Sequence, residues 1–337
     1  MNKIIEQDIQ EFIQSFPLSE ELEGTSFLIT GSTGLIGSIL VNCLLSLNKN
    51  IRIVAPVRNK NKALALFSDS FVEIIECDLL SFDYSIIGNV DYVVHCAAPT
   101  SSKYFVEYPV ETASFIFETT KKLLDYSVCF PVRCFLYLSS IEVYGAIQKD
   151  DPITEDVQGY INPLDIRSSY PMAKRMAENL CALYFREYGV PTKIARLTQT
   201  TGAGIAKDDN RIIAQFARLG IQGKDIILHT KGESARPYCY TIDAVSGLLF
   251  ILIKGNLGEA YNIANEETYI SAIDMAYYIK QHINNSINVR VELNDSFGYA
   301  PPSKIFLSSA KLRHLGWFPK YQINSIFEKL ISYLIER

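Results

Sequence analysis

The sequence predicts an α/β fold: a doubly wound parallel sheet covered on both faces by helices, followed by a smaller C-terminal α/β lobe. Three observations predict it. Strand-like and helix-like runs alternate from "SFLIT" (26–30) to "PTKIARL" (191–197). The strand runs are continuously apolar, as strands buried on both faces must be. A glycine-rich turn joins the first strand to the first helix of the alternation.

The elements follow in order. Ile5, Ile9, Phe12, Ile13 and Phe16 recur at helical spacing in "MNKIIEQDIQEFIQSF". Residues 1–24 therefore read as a helical extension lying on the domain, and the segment is too polar for a signal peptide. Residues 25–200 read as the dinucleotide-binding unit. Its strands are "SFLIT", "IRIVAPV" (51–57), "VEIIECDL" (72–79), "DYVVHCAA" (91–98), "CFLYLSS" (134–140) and "PTKIARL". Its helices are "LIGSILVNCLLSL" (35–47), "NKALALF" (61–67), a run from Val110 to Tyr126, and one that opens in "SSYPMAKRMAENL" (168–180) and reaches Tyr188. In that last helix Ala173, Met176, Ala177 and Leu180 form the apolar stripe. Pro171 suits a first helical position and pushes its predecessor away from helical angles. Tyr170 is thus expected at the helix boundary, capped by Ser168 or Ser169. After Gly202 the pattern loosens, punctuated by Gly223, Gly232 and Pro237. Residues 201–337 read mainly as the second lobe, with interleaving between the two left open.

Composition narrows the function. The net charge is −5 and no basic run is present, which disfavours a nucleic-acid partner. "LLFILI" (248–253) is too short to span a membrane. The seven cysteines are odd in number and lack zinc spacing; several, such as Cys96 and Cys134, sit in apolar runs. Reduced buried thiols in a cytoplasmic protein without a metal site are the expectation. His95 ends an apolar strand and reads as a satisfied core histidine, and His229, His282 and His314 have no metal spacing.

Chemistry begins at "FLITGSTGLIGSIL" (27–40). Gly31, Gly34 and Gly37 fall between a strand and a helix, the setting in which such a triplet binds a dinucleotide. Glycine lets the backbone approach a pyrophosphate, and the helix start at Leu35 and Ile36 offers free amides and a positive dipole end. A tight turn that needs glycine for packing alone is the competing reading. The next strand ends "IVAPVRNKNKA" (53–63), with no acid for a ribose 2′-hydroxyl but with Arg58, Lys60 and Lys62. This tilts the cofactor to NADP(H), with NAD(H) open and a merely solvated basic turn as the alternative. Asp78 and Leu79 after the third strand and Ala97 after the fourth complete the candidate cofactor set.

With "HCAAP" (95–99), "LSSIEVYG" (138–145) and Tyr170-x-x-x-Lys174, the glycine motif resembles the extended short-chain dehydrogenase/reductases with a Rossmann-type sheet, specifically the NAD-dependent epimerase/dehydratase family acting on nucleotide sugars. The resemblance covers nearly the whole chain. Residues 210–248 resemble the substrate lobe of UDP-glucuronate decarboxylases, and "SSAKLRHLGWFPKY" (308–321) resembles that family's C-terminal signature. The resemblance implies that Tyr170 moves the proton, that Lys174 lowers its pKa and holds the nicotinamide ribose, and that Ser140 bonds the reacting oxygen. It implies a functional Glu142. The dehydratases carry an aspartic acid one position earlier, where this chain has Ile141, which cannot protonate a leaving hydroxyl. Arg236 matches an arginine that grips the substrate diphosphate, and Arg211 is a second candidate. Gln199 stands where the family has asparagine, and Ala203 where it has proline.

Three functions follow. An NADPH-dependent carbonyl reductase on a UDP- or CDP-linked sugar or ketose, making a surface-polysaccharide precursor, is placed first because of the turn at Arg58. An epimerase or decarboxylase that recycles its NAD is the alternative, supported by Glu142 and the decarboxylase-like lobe. The third is a dinucleotide-binding sensor without chemistry. The resemblance also implies a homodimer through the helices near Val110 and Tyr170.

Overall fold

The computed structural model describes residues 2–67, 71–147, 151–294 and 302–336. In chain order the elements are α1 (Lys3–Ser15), β1 (Ser26–Thr30), α2 (Leu35–Ser46), β2 (Arg52–Val57), α3 (Lys60–Leu66), β3 (Val72–Glu76), β4 (Tyr92–His95), α4 (Ser102–Glu107), α5 (Pro109–Cys129), β5 (Cys134–Ser140), α6 (Ser169–Tyr188) and β6 (Thr192–Leu197). There follow β7 (Gln199–Thr201), α7 (Ile212–Gln222), β8 (Ile226–Leu228), β9 (Ala235–Tyr240), α8 (Thr241–Lys254), β10 (Ala260–Ile263), β11 (Asn265–Ser271), α9 (Ala272–Tyr278), β12 (Val289–Val291), α10 (Ala310–Arg313) and α11 (Ile323–Ile335).

Seven strands form one parallel sheet in the order β10-β6-β5-β4-β1-β2-β3. The strand order reverses between β1 and β4, so the crevice for a ligand opens at the carboxyl ends of those two strands. Alternate side chains enter separate cores. Phe27, Ile29, Val94, Leu136 and Ala195 join the core under α1, α2, α8 and α11, while Leu28, Val93, Phe135 and Ile194 join the core under α5 and α6. Both faces being covered explains why these strands are continuously apolar.

The second lobe is not one contiguous stretch. β10 returns to the large sheet beside β6, and α8 packs on β5 and β6. β7, β9 and β11 form a small sheet of their own, and β8 pairs with β12. "LLFILI" lies inside α8, continuous with the preceding "TIDAVSG". Among the described residues no helix is long and apolar enough to cross a membrane.

The N-terminal helix does more than cover a surface. Ile4, Ile9 and Phe12 are buried, and so is Asp8, which breaks the apolar stripe. The Asp8 carboxylate accepts from the Tyr240 hydroxyl at 2.6 Å and from Lys329 Nζ at 2.7 Å. One acid therefore ties α1 to the end of β9 and to α11. Because Asp8 and Tyr240 are buried and Lys329 is half-buried, Asp8→Ala should destabilise the fold by about 2 kcal/mol. Thermal or denaturant melting checks this, and an unchanged midpoint would remove this anchor from the account.

Candidate active site

The glycine turn sits at the crevice. Gly31 has φ +68°, and a Cβ there would lie 2.7 Å from the Ala97 backbone nitrogen. A Cβ on Gly37 would lie 2.3 Å from the Gly31 carbonyl oxygen. Packing alone demands both glycines. Gly34 differs: its φ is −80°, and its Cβ would meet only the Gly31 oxygen at 3.2 Å. Gly34 caps α2 without a side-chain bond, and the first turn carries no acid. The amides of that turn, at Leu35 and Ile36, have no intrahelical acceptor and point to the crevice. Beside them the buried Ser32 hydroxyl finds no partner among the described residues. An open cradle, an unpaired hydroxyl and an acid-free helix start all fit a pyrophosphate.

His95 ends β4 against Thr30 of β1. Its Nδ1 lies 2.7 Å from Thr30 Oγ1 and its Nε2 3.4 Å from Thr119 Oγ1. Burial, with Lys174 nearby, pushes its pKa down to about 3. It is a neutral core histidine.

At the adenosine end Arg58 is exposed just beyond β2. Its turn is less basic than the local sequence suggests. Glu76 ends β3 in register with Val57, and its carboxylate accepts from the Lys60 amide at 3.1 Å. An acid from the neighbouring strand thus shares the turn, and only pairing of β2 with β3 reveals it. Asp78 is exposed and accepts from the Leu80 amide at 3.0 Å, while Leu79 is buried.

β5 delivers Ser140 to a 3₁₀ turn over Ile141–Tyr144, and the Ser140 hydroxyl accepts from the Glu142 amide at 3.2 Å. α6 begins at Ser169, so Tyr170 lies in its first turn rather than at its boundary. Pro171 is tolerated there because first-turn amides are unpaired in any case. Neither expected serine cap forms; Ser169 Oγ donates instead to the Phe105 carbonyl at 3.2 Å. Tyr170 is buried, and Ser140 and Glu142 are among the groups that act on its phenol. Lys174 Nζ donates to the Leu138 carbonyl at 2.7 Å and lies 5.8 Å from the centre of the Tyr170 ring.

Burial is the largest influence on both titratable groups of the pair. Burial pushes the Tyr170 phenol above its ordinary value, opposed by Ser140 and reinforced by Glu142. Burial also pulls Lys174 down to about 8, with Glu178 opposing. Desolvation outweighs the pairing at this geometry.

Arg175, which the sequence did not single out, joins the two halves of the site. It donates to the Val143 carbonyl at 2.6 Å and the Gly159 carbonyl at 2.7 Å. The turn bearing Ser140 and Glu142 is thereby fastened to the helix bearing Tyr170 and Lys174. No local motif marks that role. Ile141 is buried among Val143, Ile153 and Leu307, so no acid stands at its position.

The diphosphate candidates gather on the small sheet. Gln199 on β7 pairs with Tyr238 on β9, and Arg236 lies two residues before Tyr238 on the same face. Arg236 is half-buried, with no ion-pair partner among the described residues. Arg211 lies 2.6 Å from Asp209 and also donates to the Thr200 carbonyl, so its guanidinium is already engaged. Burial raises Tyr238 to about 12, with the charges of Arg236 and Arg211 both opposing. Ala203, where the family has proline, is buried.

The chain is similar to known proteins over most of its length. UDP-glucuronic acid decarboxylase 3 from Arabidopsis thaliana is 31% identical over 305 residues, which is 88% of this chain and 85% of the relative. UDP-glucuronic acid decarboxylase 1 from Xenopus tropicalis is 28% identical over 333 residues, or 96% and 76%. The solved UDP-glucuronic acid 4-epimerase from Bacillus cereus, in complex with UDP-glucuronic acid and NAD, shares the fold with a TM-score of 0.80 at 21% identity, covering 92% and 99% of the two chains. The NAD dependent epimerase/dehydratase family model matches residues 27–264. With its glycine turn, Ser140 and the Tyr170–Lys174 helix lying inside that match, the chain belongs to the NAD dependent epimerase/dehydratase family.

Proposed function

We propose that the protein is a nucleotide-sugar decarboxylase that takes a UDP-linked sugar acid, UDP-glucuronic acid first, and recycles its NAD. The observation that carries this reading is the convergence of Tyr170, Ser140 and Glu142 with no acid at Ile141, in a chain similar to decarboxylases over most of its length. A consumed NADPH was the first expectation. The family is NAD dependent, and Glu76 shares the turn of Arg58, so the recycled cofactor is the better-supported reading.

Gly34 and the α2 amides would hold the pyrophosphate, and Lys174 the nicotinamide ribose. When bound, NAD accepts a hydride from the sugar and later returns it. Tyr170 takes the proton of the sugar hydroxyl being oxidised, and Ser140 steadies that oxygen. A ketone placed β to a carboxylate lets CO₂ leave with its bonding electrons kept on the sugar as an enolate. A proton from solvent, relayed through Glu142, goes to that carbon, and Tyr170 gives its proton back to the sugar oxygen when the ketone is reduced. Arg236 clamps the diphosphate bidentately.

The assay is purified protein with UDP-glucuronic acid and catalytic NAD. CO₂ release with no net NADH supports the reading. A product that keeps its carboxylate makes it an epimerase, and stoichiometric loss of added NADPH restores the reductase. Tyr170→Phe should cut turnover by about a hundredfold or more while NAD affinity changes little. Unchanged turnover would remove the tyrosine, and the catalytic reading with it.

Lys174 supplies a pH test. Its folded pKa, about 8, lies below its ordinary 10.5. Folding therefore opposes the charged form: the cost is absent above 10.5, grows as pH falls, and is complete below about 8. Lys174→Met should then stabilise the ligand-free protein at neutral pH by about 2 kcal/mol while abolishing turnover. Melting curves of both proteins across this range check the sign, and a less stable variant at neutral pH would contradict it.

A homodimer through α5 and α6 completes the proposal. Met172, Met176 and Leu183 are exposed on α6. Sedimentation should show a dimer that Leu183→Glu dissociates, and a wild-type monomer would rule it out.

A further inference from the structure

We propose that Phe105 is a positioning residue for Tyr170: its ring, laid flat on the phenol, seals that face from water and keeps the hydroxyl aimed at Ser140. The inference rests on the proton-transfer role proposed for Tyr170.

α4 is short, Ser102–Glu107, and Phe105 is its one buried residue. Tyr104 and Val106 on either side are 37% and 42% exposed, and Tyr108 just beyond is 48% exposed, so the helix has no core of its own to hold it in place. What Phe105 sits on is Tyr170. The ring centres are 4.3 Å apart and the planes 8° from parallel. Beside the stack, Ser169 Oγ donates to the Phe105 carbonyl at 3.2 Å, fastening α4 to the residue before Tyr170. A stacked pair contributes about 0.5–1.5 kcal/mol beyond its buried area. That is enough to bias the orientation of a ring whose hydroxyl must meet a substrate oxygen.

The chemical surroundings of Tyr170 divide cleanly. β5 and the turn after it offer Ser140 and Glu142, and its own helix offers Lys174. From α4 the charged groups are Lys103 and Glu107, which pair with each other at 3.5 Å with both side chains largely solvated. α4 therefore brings an apolar face to the phenol and no compensating charge. Phe105 is a counterweight to Lys174: it disfavours the phenolate but fixes its direction.

Two effects should separate when the ring is removed. Water reaching the phenol makes ionisation easier, and a freed ring makes transfer slower. The experiment follows phenolate absorbance in an alkaline titration, subtracting the Tyr170→Phe counterpart of each protein so that only Tyr170 contributes. In Phe105→Ala the Tyr170 signal should appear at a pH lower by about one unit or more, a tenfold change in its ionisation constant. In the same protein kcat should fall roughly tenfold or more with the KM for NAD unchanged. Phe105→Leu keeps the bulk without the plane and should lie between; it also serves if Phe105→Ala does not fold. Phe105→Tyr keeps the stack and should restore both values. Coincident titrations in wild type and Phe105→Leu, or unchanged kcat, would overturn the proposal. The titration needs no substrate, so it still reads Phe105 if the decarboxylase assay fails, while loss of the decarboxylase reading alone leaves the titration unaffected.

Discussion

Gly31 has room for a hydrogen and nothing larger, because the Ala97 backbone crosses it and Gly37 rests on its carbonyl. That close approach is the constraint on which the rest depends. It lets the chain leave β1, reverse, and enter α2 within a few residues, directly above the switch point between β1 and β4. The start of α2 therefore meets the crevice with its amides unpaired. Larger residues at either position would push α2 away, and the crevice would lose its positive end. Gly34 is the exception that separates ligand from packing: nothing in the protein but one carbonyl oxygen crowds it.

The proposed catalytic groups are held by backbone carbonyls more than by each other. Lys174 donates to Leu138, and Arg175 to Val143 and Gly159. Leu138 and Val143 belong to β5 and the turn that follows it, so the parallel strand that carries Ser140 also anchors the helix that carries Tyr170. Burial then dominates the titration of the pair, raising the phenol and lowering the ammonium. Such a centre is costly to fold and ready to change charge when its surroundings change, a common pairing of strain and function. The N-terminal helix is joined to the small sheet by side chains. Asp8 meets Tyr240 at the end of the strand that carries Arg236, so the N-terminal helix braces the diphosphate side from behind.

Much was legible in order along the chain. The apolar strands, the glycine spacing and the Tyr–Lys interval are local patterns, and periodicity reports them directly. The helix that opens in "SSYPMAKRMAENL" was legible except at its start. A proline does disfavour helix in its predecessor, but in a first turn that preference yields to packing, here of Tyr170 beneath Phe105. Arg236 is the first candidate phosphate ligand in the sequence and Arg211 the second. Only the fold shows that Asp209 and Thr200 already occupy Arg211 and that no ion pair among the described residues engages Arg236.

The sequence by itself determined the class of the sheet, the place of the glycine turn and the residue types at the proposed proton-transfer centre, because each depends on neighbours close in the chain. Tertiary structure decided what depends on distant neighbours. β10 crossed back into the large sheet beside β6, where Tyr261, Asn262 and Ile263 are buried. Glu76 came to share the turn of Arg58 through strand pairing. Phe105 came to lie on Tyr170 across 65 positions of chain, and burial came to push the tyrosine's pKa up. Desolvation is a property of everything packed around a group, and no interval along the sequence encodes it.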